Sequence, residues 1–130
     1  MLDHTGIVVS DLDKARRFYA AVGKPLGLGI KEFAPGFFLL GRGEGSLPYL
    51  WIGTLRPSYW LEGSRAGLNQ MHVAFIAPSK QAVHDFHAAG LAAGGRDFGQ
   101  PGTREFAEKY YAAFVLDPDG NNIEAVYRGD

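Results

Sequence analysis

The chain opens on a short run of alternating character, Asp3-His4-Thr5-Gly6-Ile7-Val8-Val9-Ser10, and a similar run returns at His72-Val73-Ala74-Phe75-Ile76-Ala77. Such runs predict strands, here over 2–9 and 70–76. Behind each run the period lengthens. Leu12, Ala15, Phe18, Tyr19 and Val22 recur at helical spacing, as do Val83, Phe86 and Ala89/Gly90, which predicts amphipathic helices over 11–22 and 79–93. Ser10 is the expected cap of the first, with Asp11 and Asp13 favourable near its positive end. Gly23 and Pro25 stop it. Further apolar runs predict strands over 26–33, 36–42 and 47–53, then 95–99, 110–116 and 121–127. They are separated by Pro35-Gly36, by Gly41–Ser46 and by the turn Asp117-Pro118-Asp119-Gly120. Residues 54–69 read as a polar loop carrying Tyr59 and Trp60.

Both halves therefore read βαβββ. Phe18 follows His4 at the same interval as Phe86 follows His72, and Ala20-Ala21 and Ala88-Ala89 stand at matching places behind them. The expectation is an α+β fold: one domain over 1–130, made of two pseudo-repeats at about 1–69 and 70–130, with helices on one face of mainly antiparallel sheet.

Strand parity assigns faces. Thr5, Ile7 and Val9 share the side suited to packing under a helix, as do Val73 and Phe75. The other side carries His4 and His72 beside the small residues Gly6 and Ala74, which leaves open volume next to both imidazoles. In the last strand Glu124 lies between Asn122 and Val126, on the face opposite Ile123, Ala125 and Tyr127. A glutamate inside an otherwise apolar strand is costly to bury without a partner, and a metal ion would serve. A regular hairpin at 117–120 would set Ala113 opposite Glu124 and Tyr111 opposite Val126, with Phe114 opposite Ile123 on the helix-packed face.

Composition narrows the function classes. A formal charge of −1 with no basic block argues against nucleic acid and anionic membranes as partners. No apolar run is long enough to span a bilayer, the N-terminus lacks the features of a secretory signal, and a cytoplasmic location is expected. Cysteine is absent, which removes disulfides, thiolate ligands and a cysteine nucleophile.

The opening Asp3–Leu12 with Phe18-Tyr19, together with Tyr111-Ala112-Ala113-Phe114-Val115-Leu116-Asp117-Pro118-Asp119-Gly120-Asn121-Asn122-Ile123-Glu124, resembles the vicinal oxygen chelate superfamily of glyoxalases, bleomycin-resistance proteins and dioxygenases. The resemblance spans the whole chain. It implies two βαβββ modules forming a cupped sheet, one divalent metal per site (Zn, Ni, Mn or Fe(II)), and His4, His72 and Glu124 as the matching ligands. It also implies a homodimer whose sites draw on both chains, and a small-molecule substrate. A fourth ligand, often Glu, belongs in the last strand of the first half, but Pro48–Gly53 holds no carboxylate and puts Trp51 there. Two histidines and one carboxylate leave open positions for substrate oxygens. The expected activity is that of a metal-dependent lyase or isomerase of glyoxalase type. The alternatives are a metal-free, ligand-sequestering protein and an Fe(II) extradiol-type dioxygenase.

Other candidates are weaker. Arg104, in the Gly-rich loop Gly99–Arg104, suits an anionic substrate group at a cavity mouth. Trp51 and Tyr111 are candidate substrate-binding walls. His84 and His87 have metal-pair spacing but belong on the solvated side of their helix. Gly41–Gly45 reads as a hairpin loop, since no helix follows it to make a nucleotide cradle.

Overall fold

The computed structural model describes residues 1–43 and 46–129, apart from the side chain of Phe33. Glu44 and Gly45, in the expected hairpin loop, lie outside the described residues. The first half contains β1 (His4–Val8), α1 (Leu12–Gly23), a 3₁₀ turn (Lys24–Leu26), β2 (Gly29–Ala34), β3 (Phe37–Gly41) and β4 (Tyr49–Gly53). The second contains β5 (His72–Ile76), α2 (Lys80–Ala92), β6 (Arg96–Thr103), β7 (Tyr111–Leu116) and β8 (Asn122–Tyr127). The strands form two four-stranded sheets of matching order, β1-β4-β3-β2 and β5-β8-β7-β6. In each, the histidine-bearing first strand is an edge strand, paired parallel to the last strand of its half. Among the described residues no helix is long and apolar enough to cross a membrane.

Both helices bury the faces their spacing indicated. Phe18 and Phe86, the repeat-equivalent pair, are fully buried with Tyr19, Val22 and Val83 against Phe38, Leu40 and Ile52 of the first sheet and Val115, Ile123 and Ala125 of the second. The helices meet closely at Gly90, where a methyl group would come within 3.0 Å of Val115 and 3.2 Å of Val22. Ser79 caps α2, its hydroxyl accepting from the Ala82 N–H at 3.0 Å. Ser79→Ala should therefore cost about 1 kcal/mol, seen as a lower urea midpoint; an unchanged midpoint would mean the cap contributes nothing.

A buried polar knot ties the two halves. The carboxylate of Asp117, 1% exposed, accepts from the Tyr19 hydroxyl of α1 at 2.6 Å, from Asn121 Nδ2, and from the backbone N–H groups of Asp119 and Asn121. Asn121 in turn accepts from the Met71 N–H at 2.8 Å, next to His72. Burial and the Asp117 charge push the Tyr19 hydroxyl well above the ordinary phenol range, which keeps it a donor.

Several sequence expectations need correction. Asp11, not Ser10, caps α1 by accepting from the Lys14 N–H; Ser10 is bound instead by Asp119, through both its hydroxyl and its N–H. The second strand starts at Gly29 because Pro25 seeds the 3₁₀ turn and Gly27 takes φ +75°. β6 runs on to Thr103 through two irregularities, so the stretch before Arg104 is bulged strand rather than loop.

The most consequential difference is the β7–β8 register. Phe114 pairs with Glu124, Ala113 with Ala125 and Tyr111 with Tyr127. The last pair before the connection is Leu116 with Asn122, so the connection takes in Asn121, which Asp117 holds. A one-residue slip moves every side chain of a strand to the other face. Phe114 thus lies beside Glu124, and Tyr111 lies on the helix side.

Candidate functional site

Each sheet turns one face away from the helices, and His4, Trp51, His72 and Glu124 lie on those faces. On the second sheet, Ala74, Glu124 and Phe114 form one cross-strand row. Ala74 has no bulk to cover its neighbour, so the carboxylate of Glu124 faces a cleft of about 600 Å³ lined by His72, Phe98, Gly99, Arg104, Phe106 and Tyr110. Glu124 itself is only 1% exposed. A carboxylate so enclosed requires partners, and it has two. Tyr110 donates its hydroxyl to Oε1. His72 Nε2 stands 3.1 Å from Oε2.

The backbone fixes the role of that imidazole. His72 Nδ1 faces the backbone carbonyl of Asn122 at 3.1 Å, and a carbonyl can only accept, so the proton belongs on Nδ1. Nε2 then presents either a second proton or a lone pair toward the carboxylate. With a lone pair, imidazole and carboxylate are two adjacent donors to a cation. The two atoms stand 3.1 Å apart, close enough together for both to reach one ion. The side-chain oxygen of Asn122, on the same face, is buried without a hydrogen-bond partner. An imidazole nitrogen with a carboxylate oxygen suits Zn, Ni, Mn or Fe(II). Donors of this kind would fit a divalent ion, and Tyr110 and the Asn122 carbonyl fix the orientation of Glu124 and His72.

Tyr110 is the residue that sequence reasoning missed. The Tyr110-Tyr111 pair signalled an aromatic at this place, but parity chose the wrong member because the register was one residue out. Tyr111 instead places its hydroxyl 2.6 Å from His84 Nε2 of α2, on the helix side and away from the Glu124 cleft. Arg128 stacks 4.5 Å over the Tyr110 ring. Burial, and then the adjacent Glu124, push the Tyr110 hydroxyl above the ordinary phenol range. Arg104 lies over Phe114 at 5.4 Å and donates to the Gln100 carbonyl at 2.6 Å. A Cβ at Gly99 or Gly102 would sit 3.2 or 3.1 Å from its guanidinium, so the bulged strand passes close beneath it. His84 and His87 are both engaged on the helix side, His87 with Asp97 at 2.8 Å. That hydrogen bond, helped by the Gly99 N–H, holds the Asp97 carboxyl below the usual carboxylate range.

The first sheet presents the equivalent face. His4 pairs with Tyr49, its ring stacked on the tyrosine at 4.9 Å, and its Nδ1 lies 2.7 Å from Asp3. Gly6 pairs with Trp51 as Ala74 pairs with Glu124. Trp51 thus occupies the place of the carboxylate in the first half. The structure brings His72 and Glu124 together but leaves His4 on the other sheet. Among the described residues, no three His, Cys, Asp or Glu side chains gather as a metal site.

Comparison with known proteins agrees with this architecture. A family model described as Glyoxalase/Bleomycin resistance protein/Dioxygenase superfamily matches residues 1–125. A glyoxalase/bleomycin resistance protein from Albidiferax ferrireducens T118 is 30% identical, with 99% of each chain covered and a TM-score of 0.77. A glyoxalase-related enzyme from Fulvimarina pelagi superposes with a TM-score of 0.70 at 18% identity, covering 98% of this chain and 87% of that one. A family enzyme from Burkholderia phytofirmans PsJN does so at 0.68 and 20% identity, with 98% of each chain covered; these last two likenesses speak for the fold alone. Among curated proteins, none matches the chain significantly.

Proposed function

Because the chain belongs to the glyoxalase/bleomycin resistance protein/dioxygenase superfamily, we propose that it is a divalent-metal-dependent enzyme of glyoxalase type, with sites completed between two copies of the chain. The observation that carries this reading is the His72–Glu124 pair at 3.1 Å, a buried carboxylate beside a half-exposed imidazole, oriented from behind and one ligand short. His4, with 53% of its side chain exposed on an edge strand, supplies the missing nitrogen when a second chain brings its first sheet against the Glu124 cleft. A homodimer makes two such sites by symmetry.

Once bound, the metal supplies Lewis-acid stabilisation of a substrate oxyanion. The chain supplies the rest. Tyr110 holds Glu124 from the side away from His72, leaving Oε2 for the metal. Arg104, above Phe114, attracts an anionic substrate group, and Phe98 and Phe106 give the cleft an apolar rim. The expected activity is a lyase or isomerase reaction on a small oxygenated substrate.

Metal analysis of protein purified without a chelating column tests the reading directly. About one divalent ion per chain is expected, removable by EDTA and restored by Zn, Ni, Mn or Fe(II). One observation favours a second reading, a metal-free ligand-sequestering protein: Tyr110 and His72 already satisfy Glu124 within a single chain. Protein that holds no metal after loading, yet binds ligand equally well with His72→Ala, would establish that alternative and end the first.

A further inference from the structure

The outward face of the first sheet carries a second feature. A groove of about 770 Å³ runs over β2, β3 and β4, within the range of small-molecule sites. Its floor is aromatic and built to be flat. Trp51 stacks on Phe37 with ring centres 5.6 Å apart and planes 24° from parallel. The indole lies down on the sheet because the positions beside it are glycines. A Cβ at Gly53 would come within 2.6 Å of the indole and of Phe37 Cβ, and one at Gly6 would sit 3.5 Å from it. Leu39 and Tyr49 extend the floor. These residues alternate with Phe38, Leu40, Leu50 and Ile52, which are buried on the other side, so the sheet is apolar on both faces. A face that merely met water would alternate apolar with polar.

Cationic side chains stand at the rim. Lys31 lies in the same cross-strand row as Leu39, Trp51 and Gly6, and Arg42 stands just past the end of β3. Both line the groove, and no carboxylate is among its described lining residues. A planar apolar floor with cations at its rim favours a ligand that is flat, aromatic and anionic. We propose that this groove binds planar aromatic carboxylates, the ring on Trp51 and Phe37 and the carboxylate toward Arg42 and Lys31. The proposal rests on the reading above in taking this face as part of the same site, and it names the substrate class. The ring would then lie on the indole that stands in the first half where Glu124 stands in the second.

The test uses the full chain and 2-naphthoate, by isothermal titration with and without EDTA. Cyclohexanecarboxylate serves as an anion that is not flat, and 2-naphthalenemethanol as a flat molecule without charge. The expected result is saturable 2-naphthoate binding that survives EDTA and is about tenfold tighter than binding of either control. Trp51→Leu should weaken it about tenfold, with Trp51→Phe intermediate, and Arg42→Gln and Lys31→Gln should each weaken it severalfold without affecting 2-naphthalenemethanol. The proposal is overturned if 2-naphthoate fails to bind, if cyclohexanecarboxylate binds as well, or if correctly folded Trp51→Phe and Trp51→Leu bind it unchanged. It is also overturned if sedimentation shows that these substitutions alter dimerisation while leaving naphthoate affinity alone, for the floor would then be a subunit contact. Because binding is read without metal, a failure here is distinct from a failure of the metal assignment.

Discussion

Glu124→Gln should lower divalent-metal affinity by about 100-fold or more while leaving the fold intact. The substitution keeps the shape and keeps an oxygen for the Tyr110 hydroxyl to donate to, so the cleft loses little packing. It removes the negative charge beside His72 Nε2 and puts an amide where the carboxylate stood 3.1 Å away. Tyr110→Phe, which removes only the bond that orients Glu124, should cost about tenfold. The ordering matters more than either value. Equal affinities for wild type and Glu124→Gln, measured by competition with a fluorescent chelator, would mean that the carboxylate holds no metal.

The second large effect is on stability. Asp117→Ala should cost about 3 kcal/mol or more, because it strands several buried donors at once. For a chain of this size that corresponds to a melting temperature lower by about 10 °C. Tyr19→Phe removes one donor and keeps the buried ring, so it should cost only about 1 kcal/mol. The two substitutions should be strongly non-additive, since they cut the same 2.6 Å bond. Independent, additive losses in a double-mutant cycle would show that the Asp117 knot is not the tie between the halves. The knot also bears on the site, because Asn121 accepts from the Met71 N–H one residue before His72.

Much of this was legible in the residues. The interval from His4 to Phe18 and from His72 to Phe86 marked two copies of one half, and both phenylalanines are fully buried. Parity placed Gly6 and Ala74 beside the imidazoles, and it placed Glu124 opposite Ile123 and Ala125. What parity could not give was register between strands. The connection after Leu116 looked like a plain turn at Asp117–Gly120, yet the Asp117 carboxylate organises Asn121 into it as well. That single residue moved Phe114 next to Glu124 and turned Tyr111 toward His84. The Ser10 cap failed for a similar reason. Its hydroxyl is taken by Asp119, a partner far along the chain. Nor could the sequence say that β1 and β5 edge separate sheets, which divides the two histidines within one chain.

That division makes the central claim testable by mixing. His4→Ala and Glu124→Gln proteins should each hold essentially no metal. In a mixed dimer, one of the two sites pairs the intact His4 of one chain with the intact His72 and Glu124 of the other. Random subunit exchange between equal amounts should therefore restore about one quarter of the wild-type metal content. Metal content that stays at the level of the separate variants after exchange, in protein shown to have formed mixed dimers, would contradict a site shared between two chains.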